Sequence, residues 1–126
     1  MRLLALAAIL LLVLSTPAAS SEVGFRQLLV ERAGLRPMTV GIWYPTDAAA
    51  SQQPLGLFTQ TIAPLGPVSG RSLPLVVMSH GTGGWYGEHY DTALALAHAG
   101  FVVAAVSHPG DTYEDQSRAA LVWERS

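Results

Sequence analysis

Gly81, Gly83 and Gly84 stand beside His80 and Thr82 in the run Ser79-His80-Gly81-Thr82-Gly83-Gly84. Glycine accepts positive φ and lets bare backbone come close to another group. The apolar run Leu73–Met78 precedes this turn and a helical pattern follows it, so it is expected between a strand's carboxyl end and a helix N-terminus. Backbone N–H groups there point outward toward negative charge. The chemistry of such a turn is anion binding, either of a phosphate or of an oxyanion formed in acyl transfer. The phosphate motifs fail on specifics: there is no GxGxxG, and the chain has no lysine to complete GxxxxGK[ST].

A second polar turn, Ser107-His108-Pro109-Gly110-Asp111, follows a second apolar run. His108 and Asp111 are expected to stabilise that turn near the site. A metal reading would gather His80, His89 and His108 with Asp91 or Asp111. No H-x3-H or HExxH spacing presets two ligands on one helix face. His89 and His98 read more simply as polar-face and helix-end residues. Ser79 does not sit in G-x-S-x-G: Val77-Met78-Ser79-His80-Gly81 keeps only the second glycine, and Val77 would crowd a tight elbow. Ser107 lacks the pattern as well. Neither serine is read as a nucleophile.

The elements that must position these turns follow from periodicity. Val23–Glu31 favours strand, 32–37 reads as a turn, and Met38, Val40, Ile42 and Tyr44 share one face at period two. An antiparallel hairpin ending at Pro45 is expected. Asp47–Ser72, with Pro54, Pro64 and Pro67, reads as a long irregular surface loop. Within it Leu57, Phe58 and Ile62 would form a brief element or line a substrate cleft. The strand over Leu73–Ser79 has the composition of one buried on both faces. A helix over Tyr86–His98 follows, with Leu94, Ala97 and Phe101 on one stripe, slim alanines at 93, 95 and 99, and Gly100 at its end. Phe101–Val106 is the next strand. Strand, helix and strand so closely spaced make a βαβ unit with parallel pairing and a right-handed crossover. Both polar turns then lie at the carboxyl ends of neighbouring parallel strands, the edge where open α/β sheets bind ligands. Gln116–Arg125 reads as the start of another helix.

Composition bounds the rest. The chain has 126 residues, no cysteine, and a formal net charge of −2. Disulfides and thiolate metal sites are excluded, and the absence of a basic run argues against nucleic acid as a partner. Met1-Arg2, the apolar run Leu3–Leu14 and the small residues of 15–21 have the layout of a secretory signal peptide cut near Ser20. The apolar run is shorter than the ~20 residues of a spanning helix. The expected organisation is a signal peptide over 1–20 and a domain over 21–126, secreted or periplasmic, with the membrane met only in export.

A His-Gly-x-Gly-Gly turn before the first crossover helix resembles the oxyanion loop of α/β-hydrolases. More narrowly, VGFRQLLV at 23–30, IWYPTD at 42–47, LPLVVMSHGTGGW at 73–85 and AGFVVAAVSHPGDT at 99–112 resemble the secreted bacterial hydrolases similar to dienelactone hydrolase and platelet-activating-factor acetylhydrolase. The resemblance implies an α/β class: the N-terminal part of an α/β-hydrolase fold, an antiparallel hairpin followed by a parallel βαβ unit, incomplete. It implies a serine-type hydrolase of carboxylic esters, lactones or lipids that needs no cofactor. Thr82 would offer its backbone N–H to the oxyanion, Gly81, Gly83 and Gly84 would shape the loop, and His80 would position it. Trp85 and His108 are the expected substrate contacts.

The family's nucleophile sits in a G-x-S-x-G with Asp and His later in the chain, and no such motif occurs here. The expectation is a chain truncated before the nucleophile elbow and inactive alone, with Leu73–Ser79 left as an open sheet edge that favours association. The alternative is a non-catalytic exported module whose anion cradle persists without chemistry.

Overall fold

The computed structural model describes residues 21–120. The expected signal peptide therefore lies outside the described residues, as do 121–126. Six strands and one helix are described, in the order β1 (Glu22–Val30), β2 (Met38–Thr46), β3 (Ser51–Leu55), β4 (Phe58–Pro64), β5 (Leu75–Ser79), α1 (Tyr90–His98) and β6 (Val102–Val106). They form a single mixed sheet in the order β3-β4-β1-β2-β6-β5.

The expected hairpin is present: β1 and β2 pair antiparallel from Glu22 opposite Thr46 to Val30 opposite Met38. The expected βαβ unit is present too, with Leu75–Ser79 parallel to Val102–Val106 and α1 between them in sequence. β6 joins the hairpin through β2, pairing Trp43 with Val103 and Val40 with Val106.

Four expectations need correction. The stretch from Asp47 to Ser72 is not an irregular loop, because β3 and β4 form a hairpin within it. Its turn has Gly56 at φ 56, the first central position of a two-residue loop, where Gly relieves the positive φ that tight hairpins demand. Gln60 and Ile62 point inward at period two, and the indole of Trp43 donates to Gln60 Oε1 at 2.9 Å in the interior. Pro54 sits on β3, the outer strand, where a missing N–H costs no ladder bond. Ile62, 2% exposed, belongs to the core rather than to a cleft.

The helix begins at Tyr90, not Tyr86. Residues 85–89 form turns instead, through Glu88 N–H to Trp85 O and Tyr90 N–H to Gly87 O. Glycine at 83, 84 and 87 weakens helix formation there. The glycine turn is consequently not at the helix N-terminus. His89 occupies the N-cap position without a side-chain cap bond, while Asp91 supplies negative charge in the first turn. The helix ends as expected, Gly100 at φ 98 closing it with Gly100 N–H to Ala97 O and Phe101 N–H to Leu96 O.

The third correction concerns β5. Its burial alternates: Val76 and Met78 pack against the core cluster, whereas Leu75 and Val77 are 62% and 65% exposed. The strand is covered on one face only, since α1 is the single helix among the described residues. On the covered face Val23, Trp43, Val103, Ala105, Ala93 and Ala97 form the core. Alanine at 93 and 97 presents no bulk, so the helix lies close to the sheet; Ala95 and Ala99 are exposed instead. Gln116–Ala120 forms turns, including Ala119 N–H to Gln116 O, so no helix begins there within the described residues.

Candidate functional site

The two polar turns sit side by side because β5 and β6 are parallel neighbours in register, Ser79 lying opposite Val106. Side-chain bonds then strap one turn to the other. His80, 7% exposed, accepts the His108 backbone N–H at its Nε2 (3.0 Å). That nitrogen must be unprotonated, so Nδ1 carries the proton and donates to Gly81 O. Both imidazole nitrogens of His80 are therefore occupied in holding the loop. Asp111, 2% exposed, accepts the Gly83 N–H at Oδ1 (2.9 Å), and Ser107 Oγ accepts the Tyr86 N–H at 2.8 Å.

These struts define which loop amides are engaged and how. Gly83 donates to the Asp111 carboxylate, and Gly84 N–H closes a turn on Gly81 O at 3.1 Å. Neither is a sheet-ladder bond. Gly83 adopts φ 70, a value that disfavours any residue with a side chain. A Cβ on Gly84 would come within 2.9 Å of His80 Cβ, so the tight fold of the turn on itself favours glycine there, whereas the Glu88 carboxylate on the same side could swing away. Thr82 is exposed at the tip of the turn.

Sequence reasoning set Ser79 aside, yet its Oγ lies 2.7 Å from His108 Nε2 at the rim of the sheet. The pair comes from two adjacent strand ends, and no local motif in either stretch signals it. The rings of His80 and His108 also meet edge-on at 4.8 Å.

Of the expected substrate contacts, the structure separates Trp85 from His108. Trp85 lines a cleft together with Gly83 and Gly84, and the β3–β4 hairpin tip, Leu57 and Phe58, forms its opposite wall. His108 instead faces Ser79 and His80. Beneath Trp85, Tyr86 packs on Phe25 and Trp43 and donates its hydroxyl to Gln27 Oε1. Burial, with the neighbouring Tyr113, raises the pKa of its phenol, so it stays a neutral donor at physiological pH. On the far side of the second turn, Asp115 is held below the usual carboxylate range, first by the bonds from Ser117 and then by Arg36, its partner at 2.9 Å.

Among the described residues no three His, Asp or Glu side chains gather in a way that could hold a metal ion. His89 is an exposed N-cap, and His98 an exposed helix-end residue bonded to Ser21 O.

Residues 59–120 match the family model described as platelet-activating factor acetylhydrolase, isoform II. The matched stretch is just under half of the chain and runs from β4 through both polar turns. It contains the blocks at 73–85 and 99–112, while the β1–β2 hairpin lies outside it. No curated protein matches the chain. The match supports an α/β-hydrolase family of the platelet-activating factor acetylhydrolase kind.

Proposed function

We propose that this chain carries the oxyanion loop of a carboxylic-ester hydrolase, with Thr82 N–H directed at the charge that develops on an acyl oxygen. The family match across both turns is the observation that carries this reading. The strapping of the glycine turn adds to it, because a donor serves an oxyanion best when it is already fixed before charge appears. His80 and Asp111 do that fixing through the loop on either side of Thr82. In the complete reaction a serine attacks the acyl carbonyl, a histidine takes its proton, and the tetrahedral oxyanion rests on the loop. No G-x-S-x-G occurs in these 126 residues, so the attacking serine is assigned outside them. Export through residues 1–20, cut near Ser20, belongs to the same proposal.

The experiment is a titration of the 15N-labelled chain with butylphosphonate, a tetrahedral anion. The Thr82 amide should shift more than any strand amide, and 4-nitrophenyl butyrate should be hydrolysed no faster than in buffer. Amides of 80–84 that stay unmoved at saturation would sink the reading.

A second reading is favoured by the contact between Ser79 Oγ and His108 Nε2. Here Ser79 Oγ attacks the carbonyl carbon while His108 Nε2 takes the hydroxyl proton. The acyl C–O bond then breaks as His108 returns that proton to the departing alkoxide, and water later hydrolyses acyl-Ser79. Treatment with a fluorophosphonate followed by peptide mass mapping separates the two readings. An adduct on Ser79 would move the chemistry into this chain, and an unmodified Ser79 would remove the second reading.

A further inference from the structure

The cleft beside the glycine turn has a volume of about 420 Å³, within the ~300–1,000 Å³ range of small-molecule sites. Its construction depends on Trp85. The indole edge lies against Gly56 at the hairpin tip, where an added Cβ would come within 2.9 Å of Cη2. The same edge lies against Gly87, where a Cβ would come within 2.5 Å. The side chain thus bridges the β3–β4 hairpin and the lead-in to α1, and two glycines make room for it. Phe58 is braced from behind by Tyr90, the rings stacked at 5.3 Å, and Tyr113 meets Trp85 edge-on at 6.1 Å.

The lining is mostly apolar, its polar side-chain groups being the Tyr113 hydroxyl, the Trp85 indole N–H and the Glu88 carboxylate. Among the described residues that line the cleft, Glu88 alone carries a charge. Leu57 contributes nothing to the core: it is fully exposed at the rim, 101% by area, a position with no packing role in the fold. Gly83 and Gly84 form part of the wall, so the cleft opens directly onto the loop assigned to the oxyanion.

We infer that this cleft takes the uncharged aliphatic or aryl arm of the ester, and that Leu57 and Phe58 set how long an arm is accepted. The inference rests on the ester-hydrolase reading above and names the part of the substrate that the cleft recognises. Glu88 excludes substrates whose arm ends in a carboxylate.

Methyl ketones from 2-butanone to 2-nonanone test it, because they mimic the arm and have no bond to hydrolyse. Titrated into the 15N-labelled 126-residue chain, they should shift Gly83, Gly84 and the Trp85 indole. Affinity should rise about fourfold for each methylene buried, the transfer free energy of one CH2 group. Leu57→Ala and Phe58→Ala should each flatten that rise for the longer members. Leu57 is fully exposed, so its variant keeps the sheet amide spectrum and reports on the cleft alone. Glu88→Gln should strengthen octanoate binding at least fivefold and leave the ketones unchanged. An affinity independent of chain length, or a length dependence untouched by both hairpin variants, would overturn the inference. If butylphosphonate shifts Thr82 while the ketones show no length dependence, the ester reading stands and the cleft assignment fails. The reverse outcome keeps the cleft as an apolar binding site and removes the ester reading.

Discussion

Asp111 shows how a single carboxylate can govern a loop it does not belong to. It is buried, and its Oδ1 takes the N–H of Gly83 across 28 positions of sequence. Gly83 is half-buried, and a hydrogen bond from such an N–H to a carboxylate contributes up to about 1–3 kcal/mol. Asp111→Ala should therefore speed hydrogen exchange at the Gly83 amide by roughly five- to a hundredfold, the same energy expressed as local opening. Asp111→Asn keeps an acceptor oxygen and should stay close to the parent rate. Unchanged exchange in the alanine variant would show that the turn holds its shape without the strut. The bond from the His108 backbone N–H to His80 Nε2 had no cue in SHGTGG. That bond depends on two strand ends lying side by side, which no local spacing encodes.

At the scale of elements, β5 is the outermost strand of the sheet, with α1 covering one face. Leu75 and Val77 are more than half exposed on the other. An apolar edge with unpaired backbone groups is a template for strand addition. The chain should therefore associate as its concentration rises, and Val77→Lys should lower the apparent mass in light scattering. A parent chain that stays monomeric at high concentration would contradict this account. The apolar composition of Leu73–Met78 identified a strand but suggested cover on both faces, whereas β5 lies at the sheet edge with one face covered, because composition records what a strand could bury and not what is present to bury it. The β3–β4 hairpin was missed for the opposite reason. Gln52, Gln53, Gln60, Pro54 and Pro64 interrupt the apolar residues of Ser51–Pro64, so the period-two signal at Gln60 and Ile62 was faint. Gly56 followed by a single residue between two short runs was the cue that could have found it.

Across the molecule's described residues, one sheet carries α1 on a single face, and on the other face the buried β2 side chains are Val40, Tyr44 and Thr46, the last two under residues 66–67. Leu28, Leu75 and Val77 are all substantially exposed. Such a layer buries less apolar surface on folding than a two-sided one, and the denaturant slope scales with that surface. Urea unfolding followed by circular dichroism should be broad, with an apparent slope below the ~1–3 kcal/mol/M of compact small domains. A sharp transition that coincides for fluorescence and circular dichroism would mean that the described sheet is cooperative as it stands.

The sequence by itself determined the local chemistry and the nearest-neighbour topology. The glycine turn, the β1–β2 hairpin, the parallel pairing of Leu75–Ser79 with Val102–Val106 and the helix end at Gly100 all follow from short-range pattern and backbone preference. Only the tertiary structure decided which groups meet. It brought Ser79 to His108, Asp111 to Gly83, and the tip of a hairpin to Trp85. These contacts join residues 28 or more positions apart, through sheet register and packing of a whole face rather than through any one stretch of chain.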